Sequence, residues 1–350
     1  MSLATEATSV PVRLVSPDLP DEIPVLDVAP YLAGEKGALD ALAAEVRRAQ
    51  EEIGFYYIVG HGVPQSLVDD SFAALARFFA LPMEEKLKLK VDQHQIGYIP
   101  PKASILRTSG IADNRKPDTN EAFQLQRDRG PDDPKVIEGR RFSAQNKWPG
   151  EDVLPGFRAQ MLKYHATMEK LGWSMLPVYA RALDLPADWF LPHFANDPHF
   201  INRNGHYSAV EHEEGQFALG AHSDHSFMTF LPMAGVPGLE VRTQDGRWIA
   251  AAHVPGAMLI NTGEFLNRWT NGRFIATPHR VVRPPRDRYA LTFFYSPCDE
   301  TRLDPIPTCV GPDNPPRFKP QTFLEYLTAY AEGNYLHQAA YKQQRDGGTA

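Results

Sequence analysis

Two textures of apolar spacing divide the chain. From about Ile23 to Leu185 the apolar positions recur mostly at helical intervals, with a few short strands between. "ALDALAAEVRRAQEEIG" is rich in helix formers and stops on Gly54. "FYYIVG" follows as a short buried strand closed by Gly60 and Gly62, with His61 in the turn. "PQSLVDDSFAALARFFA" predicts a second helix, with Pro64 near its start and Pro82 past its end. The longest helical pattern is "PGFRAQMLKYHATMEKLGWSMLPVYARALDLP", which Pro177 should kink or interrupt because proline lacks the backbone donor and crowds the preceding turn. Residues 97–148 are rich in Pro, Asp and Arg and predict loops with short strands.

After residue 196 short β-rich runs recur between Gly/Pro turns: "FINRNGHYSAV", "FALGAHSDHSFMTFLP", "GLEVRTQDGRWIAAAHV", "AMLINTG", "TPHRVVRPP" and "RYALTFFYSP". Short strands at this spacing predict a sandwich or jelly roll. In "WTNGRF", Asn271-Gly272 supply the positive-φ residues of a turn. "PQTFLEYLTAYAEGN" predicts a closing helix. The fold class is α+β, with 1–20 and 338–350 as mobile tails. Between them one domain spans 21–337: a mainly helical region (21–195), a β core (196–300) and a C-terminal helix region (301–337).

Composition narrows the function classes. With 350 residues, 43% of them hydrophobic and 23% charged, this is an ordinary globular chain able to bury most of its apolar surface. A net charge of -7 argues against a general nucleic-acid binder. No apolar run approaches the ~20 residues of a membrane span, and the N-terminus lacks a signal-peptide pattern. Cys298 and Cys309 form no C-x-x-C pair and read as free thiols in a reducing compartment. The expectation is a cytoplasmic protein with no membrane, nucleic-acid or obligate protein partner.

Candidate chemistry centres on "GAHSDHSFMTFL". Side chains alternate faces along a strand, so His222 and Asp224 share one face while His225 is expected on the other. The best third ligand is His279 in "TPHRVV". Two histidines and one carboxylate make the facial set of non-heme Fe(II) oxygenases, which leaves coordination sites open. Zinc accepts the same ligands without redox chemistry, so ligand types alone do not decide. Arg288 lies nine residues after His279, and Arg288, Ala290, Thr292 and Phe294 alternate onto one face. A guanidinium there suits the far carboxylate of a dicarboxylate. Phe294, and Phe123 in "TNEAFQL", are candidate substrate-pocket residues. His206 faces opposite Tyr207, and His212 beside "EHEEG" reads as a loop residue.

At this point the chain resembles the isopenicillin N synthase-like family of Fe(II)- and 2-oxoglutarate-dependent dioxygenases. "IPVLDVAPYL" and "EEIGFYYIVGHGVP" look like its N-terminal region, and the stretch from "GLEVRTQDGRW" to "TPHRVV" looks like its core. The resemblance covers roughly residues 22–335. It implies a double-stranded β-helix (jelly-roll) core with flanking N-terminal helices and a C-terminal helix. It implies Fe(II) on His222, Asp224 and His279, with 2-oxoglutarate as co-substrate beside O2. It implies Arg288 and Tyr207, fifteen residues before His222, as anchors for the distal carboxylate. The family's Arg-x-Ser motif is here Arg288-Tyr289-Ala290, so a hydroxyl worth roughly 1.5–3 kcal/mol is missing. Thr292 on the same face is the candidate replacement. Many plant members carry asparagine where this chain has Gly205. The reaction implied is oxidation, by default hydroxylation, of a small-molecule C–H bond with release of succinate and CO2. The alternatives are an Fe(II) oxidase of the same fold that does not consume 2-oxoglutarate, and a non-enzymatic metal- or ligand-binding β-sandwich.

Overall fold

The structure is a computed structural model that describes residues 23–103, 116–347; the expected N-terminal tail lies outside these residues. The strands are β1 (Val25–Asp27), β2 (Phe55–Val59), β3 (Gly97–Ile99), β4 (Glu121–Gln126), β5 (His199–Tyr207), β6 (Leu219–His222), β7 (Met228–Pro232), β8 (Leu239–Arg242), β9 (Trp248–Ala250), β10 (Met258–Thr262), β11 (His279–Val281) and β12 (Arg288–Ser296). They form an eight-stranded sheet, β1-β2-β10-β7-β12-β5-β4-β3, and a four-stranded sheet, β6-β11-β8-β9. Sheet and helices together make the α+β jelly-roll architecture that the strand spacing predicted.

Strand parity assigns each residue to one of two cores. Along β12, Leu291, Phe293 and Tyr295 face the helical layer. Ala290, on the opposite face, joins Tyr207 of β5 and Leu219, Leu239, Val241 and Val281 of the smaller sheet. The first core is backed by the Phe157–Ala182 helix, which buries Met161, Met168, Met175 and Tyr179. That helix runs unbroken through Pro177, so proline here does not end the element. Gly172 lets it approach the sheet: a Cβ there would meet Tyr295 Cδ1 at 2.7 Å.

Helix ends follow local chemistry. The Ala38–Glu52 helix buries Leu42, Val46 and Ala49 at helical spacing. The Phe323–Asn334 helix opens with a capping box between Thr322 and Glu325. A further helix, Leu336–Gly347, follows it, so most of the expected C-terminal tail is helical instead. The expected Asn271-Gly272 turn has φ of 51° and 86°.

Phe123 is not a pocket residue. It is fully buried, and its ring stacks on Phe78 at 4.2 Å and tilts toward Phe157 at 6.0 Å, in the core between sheet and helices. Its odd parity relative to Gln124, which pairs with Arg203, sends it to that side. Phe123→Ala should therefore destabilise the fold by ~3–5 kcal/mol, measured by chemical denaturation, while leaving metal and 2-oxoglutarate binding in the folded fraction unchanged.

Candidate metal centre and anion-binding cavity

The smaller sheet brings the three predicted ligands together. β11 pairs antiparallel with β6, and His279 sits directly opposite His222. Their rings lie 4.4 Å apart. β6 ends at His222, and Asp224 follows in the turn before β7. Asp224 Oδ1 lies 3.6 Å from His222 Nε2 and 3.4 Å from His279 Nε2. His222, Asp224 and His279 are the residues among those described whose donor atoms cluster closely enough to hold one metal ion.

Each donor is held from behind. His222 Nδ1 lies 2.9 Å from the carbonyl of Gly220 and His279 Nδ1 lies 3.3 Å from that of Thr277, which turns both Nε2 atoms toward Asp224. Asn261 Nδ2 donates to Asp224 Oδ2 at 2.6 Å, and Thr229 Oγ1 donates to the same oxygen at 2.7 Å. One carboxylate oxygen is thus satisfied by protein and the other faces the histidines. The backbone closes in as well: Glu264 N donates to Asp224 O at 2.6 Å, and a Cβ on Gly263 would meet Ser226 O at 2.1 Å. Only glycine allows that approach.

The charges fit a cation. Burial works to raise the Asp224 carboxyl, but the His279 charge and hydrogen bonds from both histidines outweigh it and hold it well below the usual range. Burial depresses His279, yet the Asp224 charge and hydrogen bond overcome this and raise it. His222 is lowered, first by burial and then by the His279 charge. A depressed carboxyl beside a raised imidazole makes a site whose charge suits a cation.

The second predicted element sits in the same cavity. Arg288 pairs in register with Tyr207 across β12 and β5, and its guanidinium lies 5.0 Å from the Tyr207 ring. Arg288 is only 4% exposed, and its Nε and Nη1 have no hydrogen-bond partner. Burial pulls its pKa down, with Tyr207 opposing. A buried cation with unmet donors is costly, and a carboxylate in the cavity removes the deficit. Gly205 shapes this corner: a Cβ there would meet Tyr207 Cε2 at 2.9 Å, so a larger residue would require the Tyr207 ring to shift.

Thr292 and Phe294 also line the cavity. Thr292, however, stands two strand positions beyond Ala290 and opposite Arg203. It lies four positions along the strand from Arg288, about 13 Å between their backbones, whereas a serine at position 290 would lie two positions away.

His225 overturns its expected direction. Strand alternation does not extend past His222, and the turn carries His225 into the same cavity. Its ring packs 4.7 Å from Phe294 and 5.2 Å from Tyr330, its Nδ1 has no partner, and burial lowers its pKa to about 4. It remains outside the ligand cluster. The other histidines are elsewhere. His206 bonds Glu121 at 2.7 Å on the helix-covered side of the sheet, His61 lies 3.1 Å from Gly256 O, and His212 lies 3.0 Å from Thr119. Sequence reasoning missed Asn261, Thr229, Arg203 and Tyr330. Asn261 in "AMLINTG" and Arg203 in "FINRNGHY" carried a usable signal, since each is a polar residue inside an otherwise buried run and Arg203 shares its face with Tyr207.

Comparison with known proteins agrees with this geometry. Residues 23–151 match the family described as non-haem dioxygenase in morphine synthesis N-terminal, and residues 196–297 match the 2OG-Fe(II) oxygenase superfamily. The chain is 32% identical to Kihadalactone A synthase LFS of Citrus sinensis, over 79% of this chain and 83% of that protein. It is 29% identical to the 2-oxoglutarate-Fe(II) type oxidoreductase hxnY of Emericella nidulans, over 93% and 94%. Among solved structures it resembles a 2OG-Fe(II) oxygenase family protein of Caulobacter crescentus, with a TM-score of 0.75, 28% identity and coverage of 88% of this chain and 98% of that one. It also resembles a full-length Neurospora crassa protein in complex with alpha-KG and thymine, with a TM-score of 0.77, 25% identity and coverage of 91% and 97%.

Two outcomes follow from the way the donors are held. Asn261→Ala frees Asp224 Oδ2 and should weaken Fe(II) binding roughly 10–100-fold, read by anaerobic titration. Because the metal displaces a proton from the raised His279, apparent Fe(II) affinity should climb with pH until His279 is deprotonated, by up to about tenfold per unit. A flat affinity from pH 6 to 8 would rule out that exchange.

Proposed function

The chain belongs to the 2OG-Fe(II) oxygenase superfamily, whose members are oxidoreductases using Fe(II), 2-oxoglutarate and O2, and we propose that His222, Asp224 and His279 hold its iron while Arg288 and Tyr207 anchor the co-substrate. The observation that carries this reading is the pair of unmet donors, Nε and Nη1, on Arg288, buried in the cavity that also contains the two-histidine, one-aspartate cluster. The donor set suits iron, and the orphaned guanidinium suits a dicarboxylate.

When bound, Fe(II) with 2-oxoglutarate and O2 supplies an oxidant for C–H bonds and releases succinate and CO2. The protein's own residues do the rest. The histidine Nδ1–carbonyl contacts fix which ring nitrogen faces the cavity. Asn261 and Thr229 keep Asp224 ionised and single-faced. Arg288 and Tyr207 set the depth and direction of the co-substrate. Phe294 and Tyr330 wall the cavity with apolar surface that keeps water from the reacting C–H bond. Substrate hydroxylation is the outcome we assign, in a single domain over 21–337 extended by the helix to Gly347. No described helix is long and apolar enough to cross a membrane, and Cys298 and Cys309 are unpaired, in keeping with a cytoplasmic setting.

O2 uptake and succinate release, measured against a panel of small metabolites, should rise together in a one-to-one ratio with a substrate. Arg288→Gln should raise the KM for 2-oxoglutarate roughly 10–100-fold through loss of a charged hydrogen bond. Substrate-dependent O2 uptake without succinate would contradict the proposal.

A further inference from the structure

The cavity contains a second buried guanidinium besides that of Arg288. Arg203 is 7% exposed and lines the same cavity as the metal cluster. On β5 it lies four residues from Tyr207, about 13 Å along the strand, and opposite Thr292 rather than Arg288. Arg203 and Arg288 thus project into the cavity from strand positions four residues apart in register.

Arg203 makes no ion pair with any described residue. Its polar partner is the neutral amide of Asn120: with the Asn120 nitrogen donating to Ala218 O at 3.1 Å, its oxygen accepts from Arg203 Nη2 at 2.9 Å. Asp118 nearby accepts from Gly220 N at 2.8 Å.

A charge count over the loaded cavity points the same way. A divalent iron and the Asp224 carboxylate leave one positive charge. Arg288 adds a second, and the two carboxylates of 2-oxoglutarate cancel both. Arg203 then remains a buried guanidinium whose side-chain partner is a neutral amide and which makes no ion pair with a described residue, so an anion in the cavity is favoured beside it. Aromatic rings line the same cavity. Phe294 follows Thr292 on the inward face of β12, with the His225 ring and Tyr330 packed around it.

Resting on the oxygenase reading above, we propose that Arg203 is a substrate-positioning residue, and that the substrate is a monocarboxylic acid whose carboxylate meets Arg203 while its apolar, planar body lies on Phe294 and His225. Charge-assisted pairing with a guanidinium favours a carboxylate strongly over its neutral amide. The substrate C–H bond to be oxidised lies on the body, between that anchor and the metal cluster.

The test is calorimetric titration of the anaerobic protein loaded with Fe(II) and 2-oxoglutarate. The probes are phenylacetate, indole-3-acetate and cinnamate, each beside its primary amide. At least one acid should bind about tenfold or more tightly than its amide. Arg203→Gln should abolish that preference while 2-oxoglutarate loading stays as in the unaltered protein, and Arg203→Lys should retain part of it. The proposal fails if no acid binds, if acids and amides bind alike, or if Arg203→Gln keeps the preference. It also fails if Arg203→Gln folds but loses 2-oxoglutarate loading, which would place Arg203 in the co-substrate site. Failure of the unaltered protein to load 2-oxoglutarate at all would instead sink the oxygenase reading itself, and this proposal with it.

Discussion

A single buried carboxylate organises this molecule. Asp224 is 3% exposed and committed through both oxygens: one to Asn261 and Thr229, the other toward two histidines. An ionised carboxylate in such a place costs several kcal/mol unless it is paired and hydrogen-bonded. The fold meets that demand from both sheets. β10 supplies Asn261 and β7 supplies Thr229, next to each other in register, while β6 and β11 supply the histidines. Gly263 lets the backbone close against Ser226, which keeps the Asp224 turn in place. Asp224 is thus held by residues from both sheets, and the cavity lies open beside it.

Charge balance extends the same constraint outward. A cation at the cluster offsets Asp224, and the two buried guanidinium groups then call for anions of their own. Arg288 and Arg203 stand on neighbouring strands of the large sheet, facing the same cavity at different depths. Tyr330, from the Phe323–Asn334 helix, anchors to Ser223 O at 3.2 Å and covers the aromatic wall, tying the C-terminal helix to the turn that carries Asp224.

Much of this is legible in the sequence because it depends on period and parity. The β-rich texture after residue 196 and the inward face of Arg288, Ala290, Thr292 and Phe294 follow from strand alternation, while the His222/Asp224/His279 set is legible from its residue types and spacing although Asp224 lies in the turn after β6. Alternation fails where the strand ends. His225 enters the cavity because β6 stops at His222 and the turn resets side-chain direction. Phe123 is misplaced by sequence alone because a buried aromatic reads the same on either face of a strand, and only the pairing of Gln124 with Arg203 fixes which face is which. Pro177 predicts a disturbed helix, but tertiary packing of that helix on the sheet carries it through. Asn261 and Thr229 come from strands distant in sequence from Asp224 or beyond its turn, a proximity that no local pattern encodes.

The most direct test of the central claim is an anaerobic crystal structure with Mn(II) and 2-oxoglutarate, with the metal located by its anomalous signal. One metal peak should lie within bonding distance of His222 Nε2, Asp224 Oδ1 and His279 Nε2, with the distal carboxylate of 2-oxoglutarate on Arg288. A metal bound through His225, or a co-substrate whose distal carboxylate lies on Arg203 instead, would contradict the account.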